Sequence, residues 1–421
     1  MEEAKILWVT ELPLTINTNQ IPGLITWFNG FIGFRDIQKR IERVEAKLQD
    51  IGFDVPALNR RYYFHSTYKS LVIRNRTYGR IDVKNPNNNR ALTLIGAVRE
   101  FSTQLNSKQQ ERLRARIIGS LDPDRDIREF EHEMRAFVHY KGAGLSVIPS
   151  DGDNDGRFDF LVKGSKGEFE LECKTFSESI GNAISIDDSI HVFRAFKRTL
   201  HQQSNFRESG IITLTFPKRP EMSEGQVATV ITGFLSGASG AIERDNYSIT
   251  FERRSDWEAL LQNKMREAVV NDIASRFDEH NSHSMVTLSK DHAVMFVIRS
   301  RRASRPATSI FDRLKKASEQ FSKMRPAVVW GHFLGFGEIE FKELLEGQKL
   351  GQRALDAFGH YLFKSPNRSY VCRLRLSADG DSFRPTHQFS PSLVLPKGIS
   401  GGGPAYDLTS NVSKFDPMVT Q

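Results

Sequence analysis

Acid-x-Lys occurs five times in the chain, as Glu3-Ala4-Lys5, Glu45-Ala46-Lys47, Asp82-Val83-Lys84, Glu172-Cys173-Lys174 and Glu340-Phe341-Lys342. Only the fourth lies in a strand-like pattern with a further acid on a preceding strand. From Glu168 to Thr175 the residues alternate at period two, so Phe169, Leu171 and Cys173 point one way and Glu170, Glu172 and Lys174 the other. Arg157-Phe158-Asp159-Phe160-Leu161-Val162 has the same character, and the polar run Lys163-Gly164-Ser165-Lys166-Gly167 turns the two into a hairpin. Asp159 then falls near the level of Glu172. Two carboxylates supply hard oxygen ligands for a divalent cation, and an ammonium beside them can meet charge developing on a phosphate. A solvated outer face of an antiparallel hairpin gives the same alternation without any chemistry.

The elements around the hairpin decide whether those groups are held. Asp126 can cap a helix running to about Tyr140, with Ile127, Phe130, Met134, Phe137 and Val138 as its buried stripe. Glu131 lies beside Val138 on one edge of that stripe, Glu133 lies on the opposite edge, and Glu129 points away. Leu145-Ser146-Val147-Ile148 is the first strand. After Lys174 come a helix over Ile186 to Asn205 and a strand over Gly210 to Phe216. A later unit, with strand His292 to Ile298, helix Ser309 to Met324 and strand Ala327 to Trp330, is a second way to complete the same sheet across an insertion.

Asp159, twelve intervening residues and then Glu172-Cys173-Lys174 resembles the motif of the PD-(D/E)xK nuclease superfamily, which includes restriction endonucleases, RecB-type nucleases and Holliday-junction resolvases. Phe158 stands where the family has proline, and the resemblance covers about residues 126 to 216. It implies a mixed α/β fold: a restriction-endonuclease-like core whose mixed central sheet is flanked by helices, with N-terminal and C-terminal additions. The implied division is 1–121, 122–250 for the core, 251–380 for an α/β extension that can complete it, and 381–421 for a tail rich in Gly, Pro and Ser. The resemblance also implies Mg²⁺ or Mn²⁺ held by Asp159, Glu172 and the Cys173 carbonyl, with Lys174 acting on the attacking water. Glu131 is the first choice for the carboxylate contributed by the helix, with Glu133 as its substitute. The expected activity is endonucleolytic hydrolysis of DNA, with RNA left open as a substrate, by a homodimer or larger complex, in settings such as restriction, antiviral defence or repair. A nuclease-like module that only binds is the alternative, and a scaffold with a fortuitous acidic hairpin is the third reading.

A net charge of +8 suits an anionic partner. The basic residues concentrate between Arg60 and Arg90, where Arg60, Arg61, Lys69, Arg74, Arg76 and Arg80 are interleaved with aromatics including Tyr62, Tyr63 and Tyr68. That mixture suits phosphate tracking and base stacking and marks a nucleic-acid-binding segment, although a solvated strand pair whose tyrosines pack inward would look alike. Pro86-Asn87-Asn88-Asn89 reads as a loop. Asp151-Gly152-Asp153-Asn154-Asp155-Gly156 opens like a calcium loop, but Val162 stands where the bidentate glutamate belongs. Two cysteines, Cys173 and Cys372, exclude a disulfide framework. Neither a signal segment nor a run long enough to span a bilayer is expected, and the predicted compartment is the cytoplasm.

Overall fold

The computed structural model describes residues 16, 18–51, 56–77, 81–150, 157–165, 167–177, 179–203, 206–237, 240–275, 282–336, 370–379 and 406–409. The chain divides into two units, Met1–Glu178 with Ala307–Gln421, and Ser179–Pro306. The second unit is thus an insertion in the first.

The first unit opens on helices α1 (Ile21–Ile32), α2 (Phe34–Ile51), α3 (Pro56–Arg61), α4 (Tyr63–Arg76), α5 (Pro86–Ser102) and α6 (Ser107–Ser120). In α2 the helically spaced Ile37, Ile41 and Val44 are buried. The Pro86-Asn87-Asn88-Asn89 loop is instead the first turn of α5. Proline is welcome where no N–H is needed, and the Asn85 side chain accepts from the N–H groups of Asn87 and Asn88. Then follow α7 (Ile127–Gly142), β1 (Ser146–Pro149), β2 (Phe160–Gly164) and β3 (Gly167–Phe176). Asp126 caps α7 by accepting from the Arg128 N–H.

The inserted unit contains α8 (Ile186–Gln202), β4 (Gly210–Phe216), α9 (Glu224–Ser236), β5 (Ala241–Glu243), β6 (Ser248–Arg253), α10 (Ser255–Gln262), α11 (Arg266–Ser275), β7 (Ser282–Leu288) and β8 (Ala293–Ser300). Its sheet has the order β5-β6-β4-β8-β7, parallel only between β4 and β8. The first unit resumes with α12 (Pro306–Ser318), β9 (Ala327–Phe333), β10 (Val371–Ala378) and β11 (Tyr406–Thr409). Its sheet runs β1-β2-β3-β9-β10-β11. The pairs β3/β9 and β9/β10 are parallel and the rest antiparallel. The chain is therefore mixed α/β, with two mixed sheets flanked by helices.

The strand over 210–216, expected within the hairpin's own sheet, belongs to the inserted unit, and β9 takes the place beside β3. A central strand with parallel neighbours is covered on both faces and must be apolar throughout or have its polar groups bonded. Ala327 to Phe333 meets that demand, with all seven residues buried, whereas Thr213 and Thr215 interrupt β4. Gly331 sits opposite Lys174. A Cβ there would fall 2.7 Å from a Phe176 ring carbon and 2.8 Å from Leu376 Cδ2, so any larger residue would push these side chains off the strand.

One face of the sheet packs on the helices: Phe169, Leu171, Cys173, Val328 and Trp330 share a core with Phe130, Phe137 and Tyr140 of α7 and with buried residues of α1, α4 and α5. The acidic turn at 151–156, Arg80 and most of the Gly/Pro/Ser-rich tail lie outside the described residues. Among the described residues no helix is long and apolar enough to cross a membrane.

Candidate active site

Phe160 of β2 stands opposite Leu171 of β3, which puts Asp159 level with Glu172. The Asp159 N–H donates to the Leu171 carbonyl at 3.0 Å. In return Asp159 Oδ2 accepts from the Cys173 N–H at 2.8 Å, so the carboxylate is oriented by the neighbouring strand. Glu172 lies on the face away from Cys173 and is only 1% exposed. A solvated outer face is thereby excluded. Glu172 Oε1 is ion-paired with Lys174 Nζ, while Oε2 is buried with no hydrogen-bond partner. Glu170, on the same face, serves the fold instead. It accepts from the Ser322 N–H at 2.8 Å and pairs with Arg325 at 3.3 Å, tying β3 to the chain after α12.

The helix carboxylate that reaches this site is Glu133. Its partner is Arg116 of α6, whose guanidinium also lies 3.6 Å from Asp159 Oδ1. Glu131, the expected choice, is turned into a separate buried network. It accepts from the Tyr63 hydroxyl at 2.9 Å and from Arg90 Nε at 2.6 Å, and it pairs with Arg135 at 3.5 Å. Two helical positions apart means about 200° of rotation, so Glu131 and Glu133 cannot serve one site. The edge of the α7 stripe that meets the hairpin depends on where α4, α5 and α6 pack, and no pattern within α7 encodes that.

The electrostatics distinguish the two clusters. Burial pushes the Glu172 carboxyl up to about 8, helped by the nearby Asp159 charge and opposed by Lys174. Burial likewise raises Glu133 well above the usual carboxylate range, with Asp159 adding to it and Arg116 opposing. Asp159 is raised by burial against the pull of Arg116. Burial and the surrounding acids hold the Cys173 thiol well up, so it is no thiolate nucleophile. Lys174 is lowered by burial but carried above its ordinary value by Glu172, and stays a cation.

The expected basic interface has a different character. Arg60, Arg61, Tyr62, Lys69, Arg74 and Arg76 lie on or between α3 and α4 rather than on strands. Tyr62, Tyr63 and Tyr68 are buried and bonded: the Tyr62 hydroxyl donates to the Pro123 carbonyl at 2.5 Å and that of Tyr68 to Asn29 Oδ1 at 2.9 Å. They are core residues and offer no face for base stacking. Lys69 pairs with Glu45 at 2.6 Å, and the Arg76 guanidinium covers the Phe34 ring at 4.3 Å. Besides Lys174, the cation in contact with the acidic site is Arg116 of α6. Lys108, Arg112 and Arg116 are exposed and spaced i, i+4, i+8, a stripe that is readable in the sequence once α6 is recognised as a helix.

A hard divalent ion fits the donor set in kind. Asp159, Glu172 and a strand carbonyl are all oxygen ligands, Mg²⁺ is commonly held by one or two carboxylates while keeping its waters, and Glu172 Oε2 is a buried acceptor with nothing to accept. Among the described residues no three His, Cys, Asp or Glu side chains stand together at ligand spacing. Arg116 and Lys174 hold the acids in their place. Comparison with protein-family models, with curated proteins and with solved structures returns no match.

Proposed function

We propose that the chain is a metal-dependent phosphodiesterase of the PD-(D/E)xK type, an endonuclease acting on DNA. The reading is carried by one observation: Asp159 and Glu172, brought level by adjacent strands, stand together beside Lys174, with Glu172 fully buried and one of its oxygens left unbonded. The order α7, β1, β2, β3, α12, β9, with β9 parallel to β3, supports the finer fold, a restriction-endonuclease-like core interrupted by the inserted unit. Asp159, Glu172 and the Cys173 carbonyl would hold Mg²⁺ or Mn²⁺, which when bound neutralises phosphoryl charge and acidifies water. Lys174 keeps 30% of its side chain exposed while anchored to Glu172, so its ammonium can orient an attacking water or stabilise charge growing on the phosphate. Glu133 completes the acidic wall and accepts a proton readily, since its carboxyl is already raised. The α6 stripe of Lys108, Arg112 and Arg116 ends on these acids through Arg116 and suits the incoming phosphate backbone.

Lys174→Ala is expected to lower cleavage of plasmid DNA by about 10²-fold or more, the scale for losing a preorganised stabiliser, with unchanged circular dichroism. Cleavage at the wild-type rate would remove the assignment. A second reading, a nuclease-like module that binds nucleic acid without cutting it, is favoured by the lack of three side-chain ligands at spacing among the described residues. Cleavage with Mg²⁺ that stops in EDTA separates the two.

A further inference from the structure

Arg116 contacts two of the three clustered acids, and it belongs to a different part of the fold from the hairpin. It reaches from α6, which packs beside α7, to Glu133 and to Asp159 Oδ1. Its side chain is 46% exposed, against 13% for Glu133 and 16% for Asp159. Asp159 is pinned by the Cys173 N–H, so the guanidinium is the partner that can leave. Arg90 gives the contrast within the same molecule: at 12% exposure it is enclosed between Glu131 and Asp379 and cannot withdraw.

We propose that Arg116 is a resident counter-cation that occupies the approach to Asp159 and Glu133, and that the site is loaded by exchange of this guanidinium for a divalent ion. The inference rests on the metal-dependent reading above and makes Arg116 a positioning residue for it. Two cations cannot share one carboxylate edge at contact distance without strong repulsion. Arg116 therefore has to swing outward along α6, toward Arg112 and Lys108, as the ion enters. On that exposed face it meets any phosphate lying on the stripe, which couples loading of the ion to arrival of an anionic substrate. An opposite charge a few ångströms from a carboxylate biases it by about 1–3 pK units. Removing Arg116 is accordingly expected to tighten ion binding about tenfold or more.

The measurement is a titration of the full chain with Mn²⁺, read by electron paramagnetic resonance and carried out without nucleic acid. Wild type, Arg116→Gln, the double variant Arg116→Gln/Glu133→Gln and Glu172→Gln are compared. The double variant removes the ion pair as a neutral unit and guards against a fold upset by an uncompensated Glu133. Arg116→Gln should bind Mn²⁺ at least about tenfold more tightly than wild type, the double variant, which also gives up the Glu133 charge, should bind at least as tightly as wild type, and Glu172→Gln should lose binding. Unchanged or weaker affinity in both Arg116 variants, while wild type binds through Glu172, overturns the exchange and leaves the metal-dependent reading standing. Failure of every protein, wild type included, to bind Mn²⁺ overturns both.

Discussion

Glu172→Gln is expected to raise the stability of the metal-free protein while ending the proposed activity, because the wild-type carboxyl is held against its own chemistry. Its folded value is about 8 against an ordinary 4.5. Between those two values the folded state keeps a proton that the unfolded chain has lost, so stability falls as pH rises through that window and is fully restored only below its lower edge. Each unit costs about 1.4 kcal/mol, which accumulates to about 3 kcal/mol at pH 7 as an upper bound. Glu133, Asp159, Arg116 and Lys174 readjust when one charge goes, so about 1–3 kcal/mol is the expected gain. Glutamine keeps an oxygen for Lys174 and matches the shape of the carboxyl. Urea unfolding in EDTA near pH 5 and near pH 8 measures the effect: a small difference at the lower pH and a growing advantage for the variant at the higher. Saturating Mg²⁺ should then stabilise wild type alone and narrow the gap. A variant no more stable than wild type near pH 8, or an advantage flat in pH, would refute the claim that this acid is strained.

Two further outcomes test the remaining assignments. Asp379→Ala should destabilise the fold by about 3–5 kcal/mol in urea, since it strips Arg90, Arg135 and His332 of a buried partner. Lys108→Gln with Arg112→Gln should weaken binding to a DNA duplex and flatten its salt dependence by about 0.9 in log–log slope per lost phosphate contact, whereas Lys69→Gln with Arg74→Gln should leave the slope unchanged; equal slopes for the two pairs would remove α6 from the interface.

The hairpin was legible because its information is local. Period-two alternation, a Gly-containing turn and the register they impose place Asp159 against Glu172 without reference to the rest of the chain. The α7 cap and stripe were legible for the same reason. What failed depended on partners distant in sequence. Two helix–strand continuations, 186–216 and 306–333, are equivalent in local pattern. The choice falls to β9 because its neighbours β3 and β10 leave no polar-tolerant face, a property of the assembled sheet. Tyr62, Tyr63 and Tyr68 mimic stacking platforms in sequence because a tyrosine serves equally to bury a ring and to satisfy a carbonyl or carboxylate with its hydroxyl.

Two buried charge clusters meet on α7, and their difference shows which one is built for chemistry. Around Glu131, the acids Glu131 and Asp379 face Arg90 and Arg135, with His332 and the Tyr63 hydroxyl closing the remaining valences. Burial alone would raise Asp379, but Arg90, His332 and Arg135 hold it well below the ordinary range. Acids whose charged form is so well matched anchor α4, α5 and α7 to the ends of β9 and β10, and have nothing left to offer a ligand. Around Glu133 the count is three acids, Glu133, Asp159 and Glu172, against the two cations Arg116 and Lys174, both open to water on one side. With all three acids ionised the imbalance would leave one negative charge in excess, and the metal-free protein shows it as an unbonded oxygen and carboxyls raised instead of lowered. A fold tolerates that cost where another positive charge is to be bound, and the same imbalance makes the metal-free form pH-sensitive and gives Glu172→Gln its predicted gain.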